Sequence, residues 1–176
     1  PLYIFDDMHI KIHGLTEMAW TLYFNNKIQK WLSIFDIVSA SGLKVTSPNY
    51  NIILKRIKLW SLRPHYSVLI NNQAIDRLEM IKILKGGIKQ QTSYAFFDNK
   101  TTYLFNNPYL STETTISNKE GTKIFSARRS FLDLGKNLFT QRRGEQHRLI
   151  MESSTPHPKE LWVALYIQVM INKQKK

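Results

Sequence analysis

The stretch Leu161-Trp162-Val163-Ala164-Leu165-Tyr166-Ile167-Gln168-Val169-Met170-Ile171 decides the fold. It is apolar on every side except at Gln168. Thr155-Pro156-His157-Pro158 precedes it, and proline suits a first helical turn because its missing N–H would have no partner there. Glu160 favours the positive pole of a helix dipole, while Lys173, Lys175 and Lys176 favour the negative pole. A helix apolar all round is buried in protein or in a membrane. This run is far shorter than the ~20 residues that span a bilayer. The rest of the chain is therefore expected to close around it. The alternative is a final buried strand, because Val163, Tyr166, Ile167, Val169 and Ile171 are good strand formers.

Working back from that helix, the chain reads as short strands between polar turns. Segments 2–6, 8–13, 19–24, 43–47, 50–60, 66–70, 74–83, 88–97, 101–105, 111–117, 122–129, 137–142 and 145–152 fit strands. Segment 27–38 continues the pattern through Ile28, Leu32, Ile34 and Ile37. Segments 28–38 and 73–84 also admit a helical reading. Asn71-Asn72-Gln73 signals a hairpin, and Asn118-Lys119-Glu120-Gly121 a turn in which glycine permits positive φ. In 50–60, Lys55 shares a face with Ile53, Ile57 and Leu59, whereas Arg56 and Lys58 share the other with Leu54 and Trp60. About a dozen strands at roughly 8–12-residue spacing favour a barrel or sandwich. Closure would also remove the edges that invite aggregation.

Composition narrows the chemistry. The 176 residues fit a single domain, 1–176, and the 43% apolar content can supply a core. Without cysteine there is no disulfide, thiolate metal site or cysteine nucleophile. The net charge of +12 predicts attraction to polyanions, with anionic membranes and nucleic acid as the two obvious kinds. No run is long enough for a transmembrane span, and no secretory leader is apparent, so a cytoplasmic protein, peripheral to the membrane, is expected.

Three stretches carry a family resemblance. They are Lys58-Leu59-Trp60-Ser61-Leu62-Arg63-Pro64-His65-Tyr66-Ser67-Val68 with Asn71-Asn72-Gln73, then Ile116 through Arg129, then Lys159 through Ile171. From about Ile34 onward the chain resembles the bacterial type of the LURP-one-related family, in the tubby C-terminal-like superfamily. Relatives have Asn-Gly where this chain has Asn71-Asn72-Gln73. The resemblance implies a mainly β domain: about twelve antiparallel strands in a barrel around the C-terminal helix. Tubby proteins bind phosphoinositide head groups and related scramblases act at membranes. The resemblance supplies no catalytic residue, and fold alone does not transfer function.

The residues themselves point to no catalytic centre. His9 and His13, four apart on a strand, would stand ~13 Å apart, too far for one metal. Asp6 and Asp7 would face opposite ways. There is no Gly-x-Ser-x-Gly elbow and no Gly-rich phosphate loop. A non-enzymatic domain without cofactor is therefore expected. Its contacts to anionic phospholipid are expected at Arg56, Lys58, Arg128, Arg129, Arg142 and Arg143, since guanidinium groups bind phosphate oxygens in pairs. Nucleic acid is the rival partner, with Trp60, Tyr66, Tyr94 and Tyr103 as stacking candidates. A protein-interaction or structural role is the third.

Overall fold

A computed structural model describes residues 8–10, 18–27, 30, 41–57, 63–83, 91–98, 100–106, 112–129 and 147–174. Its strands are β1 (Met8–Ile10), β2 (Met18–Tyr23), β3 (Gly42–Thr46), β4 (Asn51–Arg56), β5 (His65–Ile70), β6 (Gln73–Ile83), β7 (Gln91–Phe97), β8 (Thr102–Asn106), β9 (Glu113–Ser117), β10 (Lys123–Arg129) and β11 (His147–Met151). A helix, α1 (Lys159–Gln174), follows them. The chain is mainly β, as its turn spacing predicts. Segments 2–6 and 137–142 lie outside the described residues.

The eleven described strands pair in chain order as one antiparallel sheet, with β1 and β11 at the two edges among the described residues. Consecutive pairing needs only short connections, and the turn residues supply two of them. Asn71 and Asn72 take φ values of 49° and 68°, so a two-residue loop joins β5 to β6 with Ile70 opposite Gln73. Two positive-φ residues match the right-handed twist of the strands they join. The Asn71 side chain accepts the Asn51 amide at 2.8 Å, tying this loop to β4. Gly121 takes φ 84° at the predicted turn, where its N–H donates to Asn118 O at 3.1 Å.

Two ambiguous segments separate. Residues 73–83 form a strand throughout, because Leu78 must be buried while Arg77 opposite it in parity is exposed. Lys27 and Lys30 are helical, with the Lys30 N–H donating to Asn26 O at 3.2 Å. The rest of segment 28–38 lies outside the described residues.

The core forms where the inner faces of the strands meet α1. Ile52 and Leu54, Tyr66 and Val68, Tyr94 and Phe96, and Tyr103 and Phe105 alternate inward. Leu161 through Tyr166 are all at most 3% exposed, so α1 is covered on every side over that span. Its cover comes from along the sheet. β3 and β4 pack on it. Trp162 meets Phe96 of β7 and Tyr103 of β8 at ring separations of 6.0 and 4.8 Å. Tyr166 meets Phe125 of β10 at 5.9 Å and His147 of β11 at 5.7 Å. At 1.5 Å per residue α1 is ~24 Å long, close to the height of a six- or seven-residue strand. Gly42 sits where chain and chain nearly touch: a Cβ there would overlap Leu54 O.

Candidate anion-binding end

The direction of α1 gives the sheet two distinct ends. At its start, Glu160 accepts from Ser47 Oγ at 3.0 Å, just beyond β3. His157 Nε2 lies 2.9 Å from Asp98 Oδ2, just beyond β7. Trp162 Nε1 donates to Thr155 Oγ1 at 3.0 Å. At its finish, Tyr66 at the start of β5 donates to Asn172 Oδ1 at 2.8 Å. We refer to these as the entry end and the exit end. Because the strands alternate in direction, even strands from β2 to β6 finish at the exit end, as does β10, while β3, β5, β7 and β11 begin there.

Charge divides between the ends. At the entry end acids and cations balance: Asp98 with Lys100, Lys119 with Glu120, Lys123 with Glu152, Lys159 with Glu160. At the exit end stand Lys27, Lys30, Lys55, Arg56, Arg63, Arg128, Arg129 and Arg148, and α1 finishes there beyond Asn172. Between residues 18 and 75 the described part of the chain has no Asp or Glu at all. Among the described residues, the nearest acids toward this end are already engaged. Glu79 pairs with Arg77 and with His65, and Glu113 lies 3.7 Å from Arg128.

Two arrangements sharpen the cationic end. Arg128 stands directly opposite Arg148 on β11, a like-charge pairing that costs stability in a sheet. Both side chains are exposed, so solvent and Glu113 limit that cost. On the outer face of β2 and β3, Thr21, Tyr23, Phe24, Lys27, Lys30 and Lys44 border an open groove of about 450 Å³. Lys44 projects outward because Leu43 and Val45 on either side of it are fully buried. Lys55 is its diagonal neighbour across β4, at a spacing of ~7–8 Å. Ammonium groups at such spacing can bind one multivalent anion or several headgroups of a surface.

Arg56 behaves differently from its neighbours. It shares the inner parity of Ile52 and Leu54 and lies opposite Tyr66. There it meets a polar group at the end of the core: Tyr66, Tyr94, Gln168 and Asn172. Gln168 Nε2 also donates to Asn172 Oδ1, at 3.1 Å. Burial pushes the Tyr66 and Tyr94 hydroxyls above their ordinary range; the hydrogen bond to Asn172 and the Arg56 charge offset part of this. Arg56 is thus a half-buried cation facing the negative pole of α1, where positive charge is favoured.

Of the residues expected from sequence, Arg56 and Arg128 are both at the exit end, six strand spacings apart. That is roughly 29 Å measured along the sheet. Arg129 ends β10 on the same side. Lys58, Arg142 and Arg143 lie outside the described residues, in connections whose flanking strands, β4–β5 and β10–β11, meet at the exit end. The groove lysines Lys27, Lys30 and Lys44 were not among the expected contacts. Their signal was present: from 18 to 75 the sequence has a single acid, Asp36.

Among the described residues no group of three His, Cys, Asp or Glu could hold a metal, and no helix is long and apolar enough to cross a membrane. Comparison of the chain with protein-family models, with curated proteins and with solved structures finds no match.

Proposed function

We propose that this domain docks on anionic phospholipid surfaces through its exit end, acting as a binding module rather than an enzyme. The observation that carries the reading is the division of charge along the α1 axis among the described residues: balanced at the entry, and at the exit cations that outnumber the acids Glu79 and Glu113. A surface of one sign focuses field on a surface of the other and speeds encounter. Each cation near an anionic bilayer contributes ~1 kcal/mol, so a cluster is needed for stable docking. Arg128, Arg129, Lys58, Arg142 and Arg143 would extend the groove lysines around that end. Half-buried Arg56 would act mainly by holding the end of the core. Such a protein would work at the cytoplasmic face of a membrane.

The resemblance to the LURP-one-related family supports the same reading, since relatives in its superfamily meet lipids. The closed twelve-stranded barrel belongs to this proposal too. It is supported by the contacts that reach α1 from β3 round to β11.

The test is co-sedimentation at physiological salt with vesicles of phosphatidylcholine alone, or of phosphatidylcholine and phosphatidylserine in equal parts, with and without single-stranded DNA. Selective pelleting with the anionic vesicles despite the DNA is expected. Reversing Lys27, Lys30 and Lys44 together to Glu should weaken pelleting at least ~100-fold, from three cations at ~1 kcal/mol each. Equal pelleting with neutral vesicles, or retention by DNA instead, refutes the proposal.

A further inference from the structure

We infer that the exit end meets the bilayer end-on, with Ile57 entering the acyl boundary inside a ring of cations; this rests on the docking proposed above. Ile57 is 56% exposed, more than any other large apolar residue among those described. An isolated exposed isoleucine needs no explanation. This one is set apart by where it stands and by what surrounds it.

It follows β4 directly, so it lies at the exit end. Its N–H donates to His65 O at 2.9 Å, which fixes the backbone beneath it. Lys55, Arg56 and Arg63 flank it in the chain, and no described acid lies within its own strand pair, β4 and β5. Tyr23 and Phe24, half-buried, end β2 on the same side. Aromatic rings with one wet edge settle at the level of lipid headgroups. An apolar tip with aromatic shoulders and a cationic rim has the chemistry of a bilayer boundary: acyl chains within, phosphates around. The other exposed large apolar residues among those described lack that rim. Leu104 lies within β8, and Ile150 and Met151 are toward the entry end of β11.

This geometry sets the α1 axis along the membrane normal, with its finish toward the lipid. It also predicts two components of binding. The cationic rim weakens as salt rises, because exposed charges are screened. The apolar tip does not.

The chain contains no cysteine, so single labels can be placed cleanly. Ile57→Cys and Lys119→Cys, the latter in the entry-end turn, would each carry an environment-sensitive fluorophore. With vesicles of equal phosphatidylcholine and phosphatidylserine, the label at 57 should shift to the blue and be quenched by acyl-chain spin labels, while the label at 119 does neither. Ile57→Ser should weaken vesicle affinity roughly fivefold, as expected for about half an isoleucine side chain leaving water, and by the same factor at low and high salt, whereas the effect of charge reversal at the rim should shrink as salt rises. Pelleting with an unshifted label at 57, or a shift at 119, would overturn the end-on geometry and leave anionic docking standing. Failure of the unmodified protein to pellet would remove both.

Discussion

Leu165 tests the enclosure of α1 most directly. It is fully buried at the middle of the helix. Truncation to alanine removes three heavy atoms from the core and leaves a cavity that fixed strands on several sides can close only partly. Such losses run from 2 to 5 kcal/mol, and a site covered all round belongs near ~3. For a chain of this size ~1 kcal/mol moves Tm by ~2–4 °C, so Leu165→Ala should melt ~6–12 °C below the unaltered protein. In urea, an m value of ~2 kcal/mol/M puts the midpoint ~1.5 M lower with the slope unchanged. Leu104→Ala, on an exposed side chain of β8, is the control and should stay within ~0.5 kcal/mol. Leu165→Asp goes further, since an unpaired carboxylate would sit where no water reaches it. Its cost should approach the whole ~5–15 kcal/mol that holds such a domain together. A loss below ~1 kcal/mol for Leu165→Ala, or a soluble Leu165→Asp protein that melts cooperatively, would refute the idea that the sheet covers this face of the helix.

Two further outcomes are expected. Asn72→Gly should raise stability by ~0.5–1 kcal/mol in a urea titration, because its φ of 68° costs an L residue strain that glycine escapes; a loss would mean that the Asn72 side chain holds the loop. Alkaline pH should destabilise the fold. Burial raises the hydroxyls of Tyr66, Tyr94 and Tyr103, so above pH ~10 the unfolded chain ionises while the folded one stays neutral. Stability is then complete below pH ~10 and falls as pH climbs past it, and a denaturation midpoint that stayed flat to pH 11 would contradict this.

The helix was legible because eleven consecutive residues leave no polar face, and only complete cover satisfies that pattern. Hairpins were legible wherever Asn or Gly marks a positive-φ turn, as at Asn71-Asn72 and Gly121. The facing of β4 was not. Ile52, Ile53, Leu54 and Ile57 put apolar groups on both parities, and only packing on α1 decides that Ile52 and Leu54 turn inward and Ile57 outward. Arg56 follows Leu54 inward for the same reason, although sequence pairs it naturally with other strand-end cations. The cationic end was half legible. Its residues are scattered from Lys27 to Arg148, and they meet because consecutive antiparallel strands return to the same end every second crossing. That regularity requires knowing the strand order, which periodicity alone does not supply.

The element at the centre of this fold follows every strand in the chain. During synthesis the sheet therefore exists for a time without its core. Ile52, Leu54, Val68 and Phe96 then have no apolar helix to face. Local hairpins can form early, since each joins neighbours in sequence. Their commitment waits for α1, which contacts β3 across more than a hundred intervening residues. A chain stopped before Lys159 would present aggregation-prone strands rather than a smaller domain. Synthesis of α1 thus acts as a quality check on the strands before it, and only a chain that includes this helix conceals the surfaces by which chaperones and proteases recognise an unfinished fold.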